Sequence, residues 1–325
     1  MTSPSRPSGG PTATDVPALR KRSRDGKLQA EVGERAVALT NLDKLMYPSA
    51  GFTKGQVIDY YARIAPVLLP HVRDRPLTLK RFPDGVGGAY FYEKNCPGHR
   101  PPWVATVPIW TERAQEDFDY CVITEAATIV WLANLADLEL HPALARHDAL
   151  DRPSWMMLDL DPGAPAGLLD ACRVALWLRG LFTQLGLEVF VKSSGGKGLH
   201  LLAPLNGERT YDEVKPFARG VAETLEGRFP DRIVSTQARA KRPGRVLIDW
   251  GQNSQHKTTV SAYSLRARDR PTVSMPLDWD EVERACEERR PELLFFEADE
   301  ALARVEERGD LFASVLSLSQ ELPEV

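Results

Sequence analysis

The chain is poor in cysteine and lacks any long uninterrupted apolar stretch. Its 325 residues include four cysteines, none in a CxxC pair: Cys96, Cys121, Cys172 and Cys286. This scatter argues against a disulfide framework or a structural zinc site and fits a reduced cytoplasm. No segment has the apolar length that a membrane span needs, and the N-terminus lacks the apolar core of a secretory signal. The sequence therefore predicts a cytoplasmic protein that is not attached to a membrane.

Charge is distributed unevenly along the chain. The formal net charge is -4, but residues 236–270 carry eight basic residues against two acids, Asp249 and Asp269. The basic residues are Arg239, Lys241, Arg242, Arg245, Lys257, Arg266, Arg268 and Arg270. A local basic surface favours an anionic partner such as nucleic acid, although a merely solvated basic face would look the same.

The composition divides the chain into a tail and a folded part. Residues 1–30 are rich in Pro, Ser, Gly and Thr and end in a basic run, which predicts a disordered tail. The whole chain is 43% hydrophobic, which is enough for a full core. Residues 31–325 are predicted to form one domain of two subdomains. An acidic helical segment is expected from about residue 279.

Alternating helical and extended patterns predict an α/β (α+β) core. Thr53 and Gln56 form a capping-box pattern at the start of a helix. Further helices are predicted at 124–138, 168–185 and 210–230. Short strands are predicted at 76–80, 155–160, 187–192, 199–203, 245–250 and 259–264.

Two acids close the apolar strand at 155–160. Because residues i and i+2 of a strand face the same side, Asp159 and Asp161 project together. Paired carboxylates repel unless a cation lies between them, and Mg²⁺ or Mn²⁺ prefers such oxygen ligands. The alternative is two solvated acids before a Pro-Gly turn.

A glycine-rich segment, KSSGGKGLH at 192–200, connects two predicted strands. Glycines let backbone N–H groups approach an anion closely, and Lys197 adds a positive charge. The segment is not a Walker A loop, because Gly198 follows Lys197. A flexible hairpin turn and a structural role for His200 are the alternatives.

A third segment, KRPGRVLIDWGQN at 241–253, delivers Asp249 on a strand beside a basic cluster. Three carboxylates on neighbouring strands can hold two metal ions for in-line phosphoryl transfer, while the basic residues neutralise a triphosphate. Asp249 alone would be read as a surface residue. Basic and aromatic residues also alternate around Lys80 and around Phe91 and Tyr92, a composition that suits nucleic-acid stacking but also an ordinary core.

With these motifs in order, the chain resembles the polymerase domain of bacterial DNA ligase D and its stand-alone relatives in the archaeo-eukaryotic primase superfamily. The resemblance covers residues 39–282. It rests on LTNLDKLMYP, RPLTLKRFPDG, FYEKNCP, DLDPG, SSGGKGLH, KRPGRVLIDWGQN and YSLRAR. It implies a two-part primase-polymerase fold with a catalytic sheet like that of an RNA-recognition motif. It also implies two Mn²⁺ or Mg²⁺ ions at Asp159, Asp161 and Asp249, with Mn²⁺ preferred.

The resemblance also implies roles for further residues. Nucleotide contacts are expected from Lys80, His141, Ser194, Lys197, His200, Arg242, Gln252 and Arg266. Phe91 and Tyr92 match an aromatic pair that meets the template and the incoming base, where relatives often have two phenylalanines. Lys44 and Lys54 match lysines that recognise a 5′-phosphate at a DNA gap. The acidic segment at 110–118 lies where the family has a variable synapsis loop, so bridging of broken ends is not carried over.

The function implied is template-dependent addition of NTPs or dNTPs to a primer 3′-OH at gaps or broken ends, in repair by non-homologous end joining. Ribonucleotides should be accepted readily, and the enzyme should be associated with the nucleoid. No ligase or phosphoesterase motif is visible, so separate ligase and end-binding proteins are the expected partners. Two alternatives are a phosphohydrolase with Asp159 as nucleophile and a catalytically silent module that binds DNA ends.

Overall fold

A computed structural model describes residues 20–24, 27–111 and 114–323. The N-terminal half contains α1 and α2 and ten strands. In chain order these are β1 (Arg20–Arg24), β2 (Lys27–Val32), β3 (Arg35–Ala38), β4 (Leu45–Tyr47), β5 (Phe52–Thr53), α1 (Lys54–Val72), β6 (Pro76–Arg81), β7 (Phe91–Glu93), β8 (Ala105–Thr111), β9 (Glu116–Val122), α2 (Ala126–Asn134) and β10 (Asp137–Pro142).

The C-terminal half contains four helices and six strands. These are β11 (Trp155–Pro162), α3 (Leu168–Gln184), β12 (Phe190–Ser193), β13 (Leu199–Pro204), α4 (Tyr211–Arg228), β14 (Ile233–Val234), β15 (Val246–Asp249), β16 (Pro276–Leu277), α5 (Trp279–Glu287) and α6 (Ala298–Arg308). The predicted mixed fold class is therefore confirmed.

Strands β11 to β16 form the sheet that the resemblance implies is catalytic, called the catalytic sheet below, and its order is β14-β15-β11-β13-β12-β16. Helix α3 connects β11 to β12 and α4 follows β13, so the central elements run β-α-β-β-α-β, as in ferredoxin-like and RNA-recognition-motif sheets. Strand β11 is antiparallel to both β13 and β15. The predicted RNA-recognition-motif-like sheet is thus present.

The two faces of the catalytic sheet belong to two hydrophobic cores. Alternate residues of β11, Met156, Leu158 and Leu160, pack with buried residues of α3 and α4. Trp155 and Met157 face the other side and join the core built around α1 and α2. The two-residue period of a strand produces this division. It leaves the acidic end of β11 pointing away from α3 and α4, toward the N-terminal half.

The N-terminal half is organised around a second sheet of order β10-β6-β9-β8, with β7 paired to β6. Helix α1 begins at the predicted capping box, in which Gln56 N donates to Thr53 Oγ1 and Thr53 N donates to Gln56 Oε1. The helix packs on α2 and buries Tyr60 and Tyr61, whose hydroxyls donate to the carbonyls of Tyr263 and Leu138. The bond from Tyr60 connects the two halves, and the bond from Tyr61 holds α1 against β10.

Several sequence predictions differ from the structure. Residues 1–19 of the predicted tail lie outside the described residues, but its predicted end at residue 30 falls within β2, which pairs with β1 and β3. The helix predicted at 124–138 is shorter because Asp137 and Leu138 belong to β10. The strand predicted at 259–264 does not form; this segment makes loop contacts instead, such as Ser261 N to Leu140 O.

The expectation that the cysteines form no disulfide is wrong. Cys96 and Cys121 are bonded across 25 positions, because the loop after β7 runs beside β9 and Cys96 N donates to Asp119 O. Cys172 and Cys286 remain free thiols. Among the described residues, no helix combines the length and apolarity that crossing a bilayer would take.

Candidate active site

Four polar side chains form one row across the catalytic sheet. Asp159 on β11 lies opposite Asp249 on β15 and opposite His200 on β13, and His200 in turn lies opposite Lys192 on β12. Residues directly opposite each other in a sheet share a face. The row therefore places two carboxylates, an imidazole and an amine side by side, and Asp161, two residues along β11, joins the same face.

Asp159 is the most perturbed carboxyl group of this row. Burial, with the negative charges of Asp249 and Asp161, raises its pKa to about 7, although Lys192 and Arg266 act in the opposite direction. His200 Nε2 lies 3.4 Å from Asp159 Oδ1. Crowded carboxylates of this kind favour a bound cation, which relieves their repulsion.

The other two acids have protein partners. Asp161 lies 3.2 Å from Lys197 Nζ and 3.8 Å from Arg242 NH1. Asp249 accepts hydrogen bonds from Gly251 N at 2.9 Å and from Gln252 Nε2 at 3.1 Å. As the side chains stand, no group of three or more His, Cys, Asp or Glu residues within the described ranges is close enough together to hold a metal ion. The donor set is nevertheless one of carboxylate oxygens only, which suits Mg²⁺ or Mn²⁺.

The glycine-rich segment forms a tight turn between β12 and β13. Ser194 N donates to Gly198 O, and Gly198 N donates to Ser194 Oγ at 3.2 Å. A Cβ on Gly198 would collide with the carbonyl oxygen of Leu160, so only glycine lets the turn approach β11. Lys197 then reaches over the end of β11, where its Nζ donates to Pro162 O at 2.8 Å. The turn thereby places a cation beside Asp161.

Two arginines complete the positive side of the site. Arg242 follows a short 3-10 turn and donates through NH2 to Gln237 O at 3.0 Å. Arg266 donates through NH1 to Ser194 O and so joins the glycine-rich turn. With Lys197, these side chains supply positive charge around the carboxylates, as a triphosphate would require.

The cluster around Glu139, on β10, was not predicted from the sequence. This almost fully buried carboxylate lies 3.0 Å from Lys80 Nζ, 2.9 Å from His141 Nε2 and 3.4 Å from Arg266 Nε. The hydrogen bond with His141 and the charge of Arg266 hold the pKa of Glu139 well below its usual range, against the effect of burial. Three of the predicted nucleotide-binding residues are therefore oriented by one carboxylate. Two acids inside the apolar run DLELHP were the available signal.

The predicted aromatic pair lies on β7 and is exposed. Tyr92 is opposite Lys80 and Phe91 is opposite Arg81, so the two rings leave the strand on opposite faces. Tyr92 meets the edge of His141, with 6.4 Å between ring centroids. Tyr90, which the sequence did not single out, is also exposed and lies 5.1 Å from Lys80 Nζ. Tyr92 and Tyr90 thus border the Glu139 cluster, whereas Phe91 faces Arg81.

The two lysines predicted to bind a 5′-phosphate lie near each other at the start of α1. Lys44 Nζ is paired with Asp84 at 2.7 Å, and Lys54 Nζ donates to Thr40 Oγ1 at 3.1 Å. Burial, together with the charges of Lys44 and Arg81, lowers the pKa of Lys54 to about 8. Arg81 is paired with Glu93 at 2.8 Å, so Lys54 is the cation of this group that has a neutral partner and is open to an anionic ligand.

Comparison with known proteins identifies the family. Residues 53–312 match the family described as LigD, primase-polymerase domain. The chain belongs to this LigD primase-polymerase family. Its domain is a nucleotidyltransferase, so the row of carboxylates and the surrounding cations lie in an enzyme of that class.

Relatives and a solved structure extend this assignment. The multifunctional non-homologous end joining protein LigD of Mycolicibacterium smegmatis is 39% identical over 279 residues, which are 85% of this chain and 36% of the relative. LigD of Pseudomonas aeruginosa is 33% identical over 86% of this chain and 32% of its own length. The chain therefore spans about a third of the curated relatives it matches. The polymerase domain of Mycobacterium tuberculosis ligase D in complex with DNA matches with a TM-score of 0.81 and 35% identity, over 88% of this chain and 100% of that one.

Two buried residues of this LigD-family site were also missed from the sequence. Lys192 Nζ has three partners, His200 Nδ1 at 2.8 Å, Ser274 Oγ at 2.6 Å and Val260 O at 3.1 Å. Asn253 is completely buried and bonds both the N–H and the carbonyl of Met157, two residues before Asp159. Lys192 supports His200 and Asn253 supports β11. A lysine within a buried strand was the only sequence signal for the first.

Proposed function

We propose that the chain is a template-dependent polymerase that adds NTPs or dNTPs to a primer 3′-OH at gaps or broken DNA ends, in non-homologous end joining. The observation that carries the proposal is the row of Asp249, Asp159 and His200 on adjacent strands, bordered by Lys197 and Arg266. Carboxylates beside a triphosphate-sized set of cations are suited to nucleotidyl transfer. The family assignment and the DNA complex of the structural relative support it.

Asp159, Asp161 and Asp249 would hold the divalent metal ions in this proposal. Their carboxylate oxygens suit Mg²⁺ or Mn²⁺, and the raised pKa of Asp159 reflects burial together with the repulsion of Asp249 and Asp161, which a cation would relieve. Two such ions would supply Lewis acidity at the attacking and leaving oxygens. We propose that the site binds two ions and prefers Mn²⁺ over Mg²⁺.

The protein's own groups would bind and orient the incoming nucleotide. Lys197 and Arg242 lie on the Asp161 side, where they would neutralise phosphate oxygens and the departing pyrophosphate. Ser194 and Gln252 would contribute hydrogen bonds there. Lys80, His141 and Arg266, held by Glu139, would contact the opposite side of the nucleotide. Tyr92 borders that side and would stack on a base, and Phe91 would meet the template.

The DNA substrate in this proposal is a gap or end that carries a 5′-phosphate. Lys44 and Lys54, with Arg81 nearby, form the positive group that would bind this phosphate. Filling a gap leaves a nick, so a DNA ligase activity and end-binding proteins are proposed as partners. End bridging is not part of the proposal.

Primer extension on a one-nucleotide gapped DNA with a 5′-phosphate tests the function. We expect templated extension with Mn²⁺, and the ratio of ribo- to deoxynucleotide incorporation gives the sugar preference. Binding of the gapped DNA without extension of either nucleotide would overturn the polymerase assignment and favour a silent end-binding module.

The Asp159→Ala variant, compared with Asp231→Ala at an exposed site, tests the carboxylates. We expect Asp159→Ala to abolish synthesis, a loss of at least about 10³-fold, because the metal ligand is removed. DNA binding should persist, since the lysine group lies elsewhere. Asp231→Ala should extend normally. Unchanged extension by Asp159→Ala would remove this residue from the reaction.

A further inference from the structure

A second charged cleft lies away from the catalytic row. It has a volume of about 710 Å³ and lies between the end of α1, residues 146–154 and residues 206–208. Ser154, at its wall, immediately precedes β11, whereas Asp159 lies toward the other end of that strand. Asp159 lies four residue steps along the strand from Trp155, a rise of about 13 Å. The cleft is therefore distinct from the site of the carboxylates.

Positive charge dominates this cleft. Four arginines line it, Arg73, Arg75, Arg146 and Arg152, against two acids, Asp148 and Glu208. Glu208 is already paired with Arg152. Within the part of the chain that the structure describes, no carboxylate lies within ion-pair distance of Arg73, Arg75 or Arg146. The cleft thus holds three guanidinium groups without a bonded counter-ion.

Arg75 is a buried member of this group, with 3% of its surface exposed. Its guanidinium lies 4.0 Å over the ring of Trp155 and donates to Ser154 Oγ at 2.9 Å and to the carbonyl of Leu144. Burial and the charge of Arg146 lower its pKa to about 9, although the more distant charges of Asp74 and Asp148 act in the opposite direction. Neutral acceptors compensate a buried cation only in part, so an anion in the cleft would be stabilised.

Apolar residues line the cleft among the arginines. They are Pro66, Leu69, Pro70, Pro153 and Leu316. Apolar side chains beside guanidinium groups, in a volume of several hundred Å³, suit a ligand with a flat apolar part and a phosphate. We propose that this arginine cleft binds a nucleoside phosphate, either free or at the end of a nucleic-acid strand. The phosphate would meet Arg73 and Arg146, and the base would lie against the prolines and leucines.

Trp155 provides a reporter that separates this site from the catalytic one. The protein contains seven tryptophans, so labelling with 5-fluorotryptophan gives a simple fluorine NMR spectrum, in which Trp155→Phe assigns one signal. The full chain is titrated with AMP, with a 5′-phosphorylated tetranucleotide and with inorganic sulfate, all in EDTA. We expect the Trp155 signal to shift saturably with AMP or the tetranucleotide, and more weakly with sulfate. If AMP binds more tightly than the tetranucleotide, the ligand is a free nucleotide. If the tetranucleotide binds more tightly, the ligand is the end of a nucleic-acid strand.

The paired substitution Arg73→Ala with Arg146→Ala removes the two exposed guanidinium groups. We expect it to weaken AMP binding at the Trp155 signal at least about tenfold, the effect of losing one charge-assisted contact. The control Arg290→Ala, at an exposed site outside the cleft, should bind as the wild type does. A Trp155 signal that no ligand moves, or that sulfate moves as strongly as AMP, would overturn the proposal. So would unchanged binding in the double variant.

Discussion

Asp159 and Glu139 are two carboxyl groups of one site with opposite surroundings. Asp159 lies beside Asp249 and Asp161, and its pKa is raised to about 7. Glu139 is the more deeply buried, yet the pKa of its carboxyl is held well below the usual range by His141, Arg266 and Lys80. Burial acts in the same direction on both. The sign of the neighbouring charges therefore decides which carboxylate needs a cation and which already has its cations.

The two environments correspond to two tasks. The Asp159 row gathers negative charge that protein groups compensate only in part, which suits metal ions. In the Glu139 cluster the one carboxylate has cationic partners inside the protein and holds Lys80, His141 and Arg266 in place. Variants that remove one charge at a time should separate these tasks.

Removal of the Glu139 carboxylate should have the largest effect on stability. Glu139→Ala leaves Lys80, His141 and Arg266 close together without their acid, and we expect a loss of about 3–5 kcal/mol in the free energy of unfolding. Urea denaturation at neutral pH measures it. The control Glu223→Ala breaks an exposed pair with Arg219 and should cost less than about 1 kcal/mol. Equal losses of unfolding free energy in the two variants would show that the Glu139 cluster contributes no more to stability than an exposed ion pair.

Asp159→Asn should stabilise the metal-free protein against unfolding, the opposite of the effect expected for Glu139→Ala. Because the folded-state pKa is raised from 3.8 to about 7, ionisation destabilises the fold as the pH rises through that window. In EDTA at pH 8 we expect the variant to be more stable than the wild type by roughly 2 kcal/mol, less than the full shift implies because the side chain is partly solvated.

The gain from Asp159→Asn should fall to less than half at pH 5 and vanish only below about pH 3.8, where the wild-type carboxyl is protonated in the unfolded chain as well as in the folded one. Asp231→Asn, at an exposed site, serves as the control and should show no such dependence on pH. A variant less stable than the wild type at pH 8 would contradict the account of crowded carboxylates.

Lys192→Met tests whether the buried lysine orients His200. Lys192 Nζ lies within 3.1 Å of all three partners, and burial lowers its pKa well below the usual range. Whether charged or neutral, an amine that donates to His200 Nδ1 would leave the proton of His200 on Nε2, facing Asp159. We expect a drop in kcat of about tenfold or more with little change in KM. Nitrogen NMR of His200 should show the Nε2–H tautomer in the wild type and a mixture in the variant. An unchanged tautomer would limit Lys192 to a packing role.

Lys54→Ala should produce the smallest effect. It should reduce the preference for a 5′-phosphorylated gap over an unphosphorylated one about fivefold, the effect of roughly 1 kcal/mol. In the wild type the preference should also fall as the pH rises above 8, because Lys54 loses its proton there. Lys215→Ala on α4 is the matched control. An identical ratio of affinities in Lys54→Ala would exclude the residue from phosphate recognition.

Much of the fold was predictable because strand and helix patterns are local. Three local patterns each determine a short segment: the capping box at Thr53, the apolar run of β11, and the glycine that follows the end of α3. The disulfide between Cys96 and Cys121 was not predictable, because the pairing depends on how β9 passes the loop after β7. Strand β1 (RKRSR) has no apolar residue, and the alternation of Leu28, Ala30 and Val32 in β2 was not recognised beside this basic run.

The site was predictable where a motif carried it. Asp159 and Asp161 share a strand face, and this spacing is visible in the sequence. That Asp249 and His200 flank Asp159 follows only from the pairing of three strands. His141 shares a strand face with Glu139, two residues away, but Lys80 and Arg266 reach Glu139 from segments more than 50 residues distant, and no local pattern encodes that convergence.

The pairing of Asp159 with Asp249 also determines when the site can assemble during synthesis of the chain. Strand β15 enters the sheet beside β11, although Asp249 follows Asp159 by 90 positions in the chain. While the ribosome is still making the segment between them, α3 and the hairpin of β12 and β13 can already fold onto β11. The emerging protein is then folded in part but cannot polymerise nucleotides. Activity begins only when synthesis has passed residue 249 and the new strand has joined the edge of β11.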